Sequence, residues 1–310
     1  MAQRIFIAGE RGQVAQALGR AYKLRSDNVV MVGRSNISVT NESHLLSAVV
    51  AFNPDLVINA AGYTAVDKAE DDKEAAFAVN RDGAAFVAAA AKAAEVPVIH
   101  LSTDYVFDGR KQAPYRETDP TNPINVYGES KLAGEIAVAS CSSNYVILRT
   151  SWVCSPIGHN FVKTMLRLAR DRDEIAVVDD QWGCPTFAAD LAAVIISIGD
   201  KLVSADDSSR PCGIYHASSA GETTWYRFAR EIMAQSAAKG GPACRVRAIA
   251  SSEYPTRAKR PAYSCLDCSK LKRDFSIGPF RWQTSLEACL DLLIDKTAMI
   301  SFDSRSCRKA

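Results

Sequence analysis

Short apolar runs alternate with longer, alanine-rich helical stretches through the first half of this chain, and that rhythm limits the fold more than any other feature. The runs are "RIFIA", "VVMV", "DLVINAA", "VPVIHLS" and "YVILRT". Between them the pattern predicts helices through Lys23, from Glu42 to Ala51, from Lys73 to Glu95, and around Tyr127. Strands separated by roughly 10 to 20 helical residues are βαβ units, which require a parallel sheet. Right-handed crossovers then wind the chain over both faces of that sheet. After Trp152 the rhythm changes to a helix from Asn160 to Asp171, a short strand "IAVVD", a helix after Pro185, a strand "GIYHAS" and a helix from Thr224. The expected architecture is α/β. Residues 1–152 form a Rossmann-like doubly wound parallel sheet, residues 153–298 form mainly a smaller α+β unit, part of which is free to return to the sheet, and residues 299–310 form a polar tail.

Composition excludes several classes of function. A formal net charge of +2, with lysine and arginine spread along 310 residues, offers no basic face for nucleic acid. No apolar run approaches the roughly 18 residues of a membrane span. The opening "MAQRIFIAGERG" enters a strand directly, without the regions of a signal peptide, so a cytoplasmic location is expected. Nine scattered cysteines read as reduced thiols rather than a disulfide framework. Cys265 and Cys268 form a lone C-x-x-C with no second pair, so no zinc site is expected.

The motifs cluster where strands end. "IAGERGQVA" places Gly9, Gly12 and Ala15 between the first strand and the first helix, where glycine allows a tight turn and close approach to a pyrophosphate at a helix N-terminus. A structural turn alone would use the same glycines. After the second strand, Gly33 and Arg34 stand where an acidic residue would hold a ribose 2′-hydroxyl. Arginine there suits a 2′-phosphate, or is an ordinary solvated side chain. The third strand ends in small residues, "NAAGYT", and the fourth in the polar cluster Ser102, Thr103, Asp104 and Tyr105, which serves either a ligand or a turn. Tyr127 and Lys131 are four positions apart on one helical face, and of ten tyrosines only Tyr127 has a lysine at that spacing.

In this order the G-x-x-G, N-A-A-G, S-T-D and Y-x-x-x-K motifs resemble the extended short-chain dehydrogenase/reductase family. Within it, "GYTAVDKAE", "STDYVFDG", "YRETDPTNPINVYGESKLAGE", "RTSWVCSPIGHNFVKTMLRLA", "DQWGCPTFAADLA" and "YPTRAKRPAYSCLD" are similar to the dTDP-4-dehydrorhamnose reductases, up to about residue 295. The resemblance implies an NADP(H)-binding first domain and a substrate-binding second one. It implies reduction of the 4-keto group of dTDP-4-dehydro-6-deoxy-L-mannose to dTDP-L-rhamnose, with Tyr127 as proton donor and Thr103 hydrogen-bonded to the carbonyl oxygen. Lys131 is implied to contact the nicotinamide ribose and to lower the Tyr127 pKa. Carried over by motif, the cofactor site comprises Gly9, Gly12, Gln13, Val14, Gly33, Arg34, Ser38, Val39, Ala61, Gly62, Tyr63, Thr64 and Leu101, with Tyr127 and Lys131. The substrate site comprises Thr103, Asp104, Tyr105, Trp152, Asn160 and Phe161, although Trp152 serves equally well as a core residue.

Departures from the family pattern bear on specificity. Ala15 replaces the third glycine of the loop, and the missing acidic residue after the second strand favours NADPH, with NADH as an alternative. Glu287, Asp291 and Asp295 match a region where some members share a metal, but their spacing reads equally as a solvated helix face, and no metal is expected. A monomer or homodimer acting on a dTDP-linked keto-deoxy sugar is the implied form. Two other functions remain open at this level. One is a different nucleotide-sugar 4-keto reductase or epimerase, and the other is a non-catalytic binding protein like the regulatory subunit of methionine adenosyltransferase.

Overall fold

A computed structural model describes residues 2–206 and 209–294, so the expected polar tail and Asp295 lie outside the described residues. Five of the predicted strands form as β1 (Arg4–Ala8), β2 (Asn28–Val32), β3 (Leu56–Asn59), β4 (Val98–Thr103) and β5 (Tyr145–Thr150). With Gly213–His216 they make one six-stranded sheet in the order Gly213–His216, β5, β4, β3, β1, β2, parallel throughout. Both β3 and β4 are buried along their whole length. A parallel sheet covered on both faces buries its strands whole, so that even the polar His100, Ser102 and Thr103 of β4 lie inside.

Side chains nevertheless alternate between faces. Ile5 and Ile7 of β1 join Leu18 and Tyr22 of α1 (Gln13–Leu24) and Leu191 and Ile195 of helix Ala188–Ser204. Phe6 and Ala8 turn the other way, onto Leu45 and Val49 of α2 (Glu42–Phe52) and Val87 of helix Gly83–Ala93. The sheet is therefore doubly wound, as expected. Because β2 and β3 lie on opposite sides of β1, the topology reverses there and opens a crevice beyond the carboxyl ends of the strands.

The helix expected from Lys73 to Glu95 is not continuous. Lys73–Phe77 and Gly83–Ala93 are joined by a π-helical turn, Ala78–Asp82. Asn80 in that turn is buried. Its Nδ2 donates to the Tyr63 carbonyl at 3.1 Å and to Ser130 Oγ at 2.9 Å, while its Oδ1 accepts from the Tyr63 amide at 2.7 Å. A Cβ on Gly134 would lie 2.1 Å from the Asn80 carbonyl oxygen, so helix Val126–Cys141 reaches this wide turn only because residue 134 is glycine. The π turn thereby links the end of β3 to the helix carrying Tyr127.

Beyond β5 a second core forms. Helices Phe161–Asp171, Trp225–Ala238 and Trp282–Ile294 pack Val162, Leu166, Phe228, Ile232, Leu286 and Leu290 together. Strand Glu174–Val178 pairs in parallel with Arg245–Ile249 beside them. Among the described residues no helix is long and apolar enough to cross a membrane, and eight cysteines are free.

Candidate active site

The crevice at the switch point is a cleft of about 670 Å³. Its walls include Gly9, Gly12, Gly33, Arg34, Ser38, Val39, Ala61, Gly62, Tyr63 and Thr64, all expected from the sequence to bind cofactor. Gly9 has φ of 119°, and a Cβ there would sit 2.8 to 2.9 Å from the Ala60–Ala61 backbone. Only glycine permits that turn against β3. Gly12 caps α1 without a side-chain hydrogen bond, leaving first-turn N–H groups available to an anion. A glycine cradle, an open helix N-terminus and a nearby arginine fit a dinucleotide phosphate chain and adenosine ribose.

Five expected cofactor residues, Gln13, Val14, Leu101, Tyr127 and Lys131, do not line this cleft. Val14 is buried in the core between α1 and the sheet. Gln13 turns its side chain toward the second half of the chain, where Oε1 accepts from Ser155 Oγ at 3.0 Å and from Asn160 Nδ2 at 2.8 Å. Leu101 presents its carbonyl oxygen to Lys131 Nζ at 2.5 Å.

Helix Val126–Cys141 begins at Asn125, whose side chain accepts from the Gly128 amide at 2.8 Å and donates to the Lys259 carbonyl at 2.8 Å. A Cβ on Gly128 would meet the Tyr105 carbonyl at 2.2 Å, so this glycine lets the first turn press against the end of β4. That contact brings Tyr127 onto the polar cluster. Thr103 lies beside the phenol, and the Tyr105 ring meets the Tyr127 ring edge-on with centroids 5.7 Å apart. Burial, with the nearby Asp104 and Tyr105 side chains, holds the Tyr127 phenol above its ordinary value despite the Thr103 hydroxyl beside it. The sequence expectation of a pKa lowered by Lys131 is therefore corrected for this arrangement, because the ammonium is directed to the Leu101 carbonyl rather than to the phenol.

Lys131 is 4% exposed. Burial lowers its pKa from 10.5 to about 8, against the favourable charge of Glu135. Tyr127, Lys131 and Glu135 thus follow one another at intervals of four along one helical face. Glu135 is itself paired with buried Arg149, with Nε to Oε1 at 2.9 Å and Nη2 to Oε2 at 2.7 Å, and it accepts from Ser102 Oγ at 2.5 Å. That pair fixes Glu135, and breaking it would strand a charge in the core.

On the other side of the phenol, the Thr103 hydroxyl donates to Asp104 Oδ1 at 3.0 Å, and burial pushes the Asp104 carboxyl up to about 7. Tyr105 accepts from Arg260 Nη1 at 3.2 Å, and Arg260 Nη2 also bonds Asp67 Oδ2 at 2.8 Å. Trp152 adopts φ of 46°, in the left-handed region, and stacks on Trp225 with centroids 3.4 Å apart, while Phe161 lies 4.6 Å from Trp225. A bulky residue in that conformation is held by its surroundings. Asn160 caps helix Phe161–Asp171 by accepting from the Lys163 amide, and its amide nitrogen is used by Gln13 and Ser155. Its side chain thus ties the two halves together.

Sequence reasoning missed several participants. Glu10 and Lys68 line the cleft, Arg260 anchors Tyr105, and Trp225 backs Trp152. Glu10 carried a signal as a charged residue inside the glycine loop, and Lys68 and Arg260 as members of the motifs "GYTAVDKAE" and "YPTRAKRPAYSCLD", whereas Trp225 carried none. Glu287 and Asp291 both face Lys239, and no group of three or more potential metal ligands occurs among the described residues.

Comparison with known proteins adds independent information. The family model described as RmlD substrate binding domain matches residues 3–294. A dTDP-4-dehydrorhamnose reductase of Sinorhizobium fredii is 47% identical over 91% of this chain and 95% of its own length. The enzyme of the same name from Escherichia coli K12 is 38% identical over 95% and 99%. A crystal structure of dTDP-4-dehydrorhamnose reductase from Bacillus anthracis in complex with NADP superposes with a TM-score of 0.87 at 33% identity, covering 93% of this chain and 99% of that one.

Proposed function

The chain belongs to the dTDP-4-dehydrorhamnose reductase family, and we propose that it reduces the 4-keto group of dTDP-4-dehydro-6-deoxy-L-mannose to dTDP-L-rhamnose, using NADPH with NADH as an alternative. The observation that carries this function is the convergence of Tyr127, Thr103 and Lys131 at the end of β4, beside a glycine-lined cleft suited to a dinucleotide. When bound, the reduced nicotinamide supplies a hydride to the carbonyl carbon. Tyr127 donates its proton to the carbonyl oxygen as that oxygen gains charge. A phenol held above its ordinary pKa keeps this proton throughout the neutral range. Thr103 turns its hydroxyl from Asp104 toward the same oxygen and stabilises the developing charge. Lys131, held at the Leu101 carbonyl, positions the nicotinamide ribose, and solvent returns a proton to the phenolate.

Asp104, Tyr105 and Trp152 border the sugar side of this centre, and Phe161 with Trp225 extends it as an aromatic wall. We assign the protein to the cytoplasm, acting as a monomer or homodimer. The test is NADPH oxidation, followed by absorbance, with the dTDP-linked 4-keto sugar made by an upstream dehydratase and epimerase. Oxidation that depends on that sugar and yields dTDP-L-rhamnose is expected, and none at micromolar enzyme would overturn the proposal.

A further inference from the structure

We propose that Glu10, in the glycine loop, sets the balance between NADH and NADPH by supplying the carboxylate missing after β2. This inference rests on the dinucleotide site proposed above. The end of β2 passes directly into Gly33, which has no side chain to offer a ribose. The space a side chain would take there is filled from the neighbouring loop, since a Cβ on Gly33 would lie 2.7 Å from Glu10 Cβ and 3.1 Å from Glu10 Oε2. Glycine at 33 and glutamate at 10 are thus sterically complementary.

One contact holds the carboxylate and another holds the backbone that carries it. The Ser35 hydroxyl donates to Glu10 Oε2, and Gln16 Nε2 donates to the Glu10 carbonyl at 2.5 Å. Gly9, immediately before it, is fixed by the hydrogen bond its N–H donates to the Val32 carbonyl at 2.8 Å. Glu10, Gly33, Arg34 and Ser35 all line the one cleft.

Opposite charges therefore line the same cleft where the adenosine ribose belongs. A carboxylate accepts hydrogen bonds from the ribose hydroxyls of NADH and repels the 2′-phosphate of NADPH, whereas Arg34 attracts that phosphate. Preference is the difference between these two interactions. Removing the Glu10 charge leaves Arg34 unopposed.

The experiment measures dissociation constants of NADPH and NADH by the fluorescence of the bound reduced nicotinamide, without sugar, for wild type, Glu10→Gln and Glu10→Ala. Both variants should raise the affinity ratio of NADPH over NADH by about tenfold, an effect that shrinks in high salt. Glu10→Ala guards against a glutamine that simply repacks, and a thermal melt establishes that each variant is folded. An unchanged ratio in folded variants, with wild type binding either dinucleotide, overturns the role of Glu10 alone. Failure of wild type to bind either one overturns the dinucleotide site, and this inference with it.

Discussion

Replacing Lys131 by methionine should make the folded protein more stable near neutrality while disabling its cofactor site. The ammonium is buried, and its pKa falls from 10.5 to about 8. In the window between these values the unfolded chain holds the proton and the folded chain releases it, so stability rises with pH through that window. Below pH 8 the folded state carries the buried charge at a cost of roughly 3 kcal/mol. By pH 10 most of that cost is gone, leaving about 1 kcal/mol. Methionine has similar length and no charge, but it leaves the Leu101 carbonyl without its 2.5 Å donor, a loss of about 1 kcal/mol. The net expectation is a variant about 2 kcal/mol more stable than wild type at pH 7 and nearly equal to it at pH 10. Urea unfolding of both proteins at both values measures this, and taking the difference between proteins cancels the other titrating groups. A variant less stable by the same amount at both pH values would refute the argument, since it would mean that the ammonium supports native packing. Dinucleotide affinity should fall in the same variant, separating its functional from its structural effect.

Further expectations concern single contacts. Tyr127→Phe removes the proton donor and keeps the ring that packs on Tyr105, so turnover should drop by roughly 100-fold or more with little change in the thermal melt; near-normal turnover would remove Tyr127 from the chemistry. Arg34→Ala should weaken NADPH by about ten- to hundredfold and leave NADH almost untouched in binding titrations. dTDP should raise the melting temperature more than UDP at equal concentration, because only binding to the native state is stabilising; equal shifts would point to a different nucleotide sugar.

Much of this was legible before the structure because it is local. Apolar runs gave the buried strands, glycine spacing marked the turn after β1, and a tyrosine and lysine four apart declared their shared helical face. What escaped depends on contacts between distant segments. Arg260 reaches Asp67 from 193 positions away and Tyr105 from 155, and nothing in "RPAY" indicates where its guanidinium points. The stack of Trp152 on Trp225 requires the left-handed backbone at Trp152, which no propensity suggests for tryptophan. That Gln13 and Asn160 bond each other was equally hidden, because it depends on the loop after β5 returning over the first helix. The π turn at Asn80 was hidden inside an alanine-rich run that reads as one regular helix. Glu10 illustrates the same limit, since the expected carboxylate was sought in sequence after β2 while the fold delivers it from the loop after β1.

The most direct test of the central claim is the fate of a labelled hydride. The purified chain, given the dTDP-linked 4-keto sugar and NADPH deuterated on its transferable position, should yield dTDP-L-rhamnose with one deuterium at C4, at a rate cut by roughly 100-fold or more in Tyr127→Phe. Sugar released without deuterium, or with its keto group intact, would contradict the account.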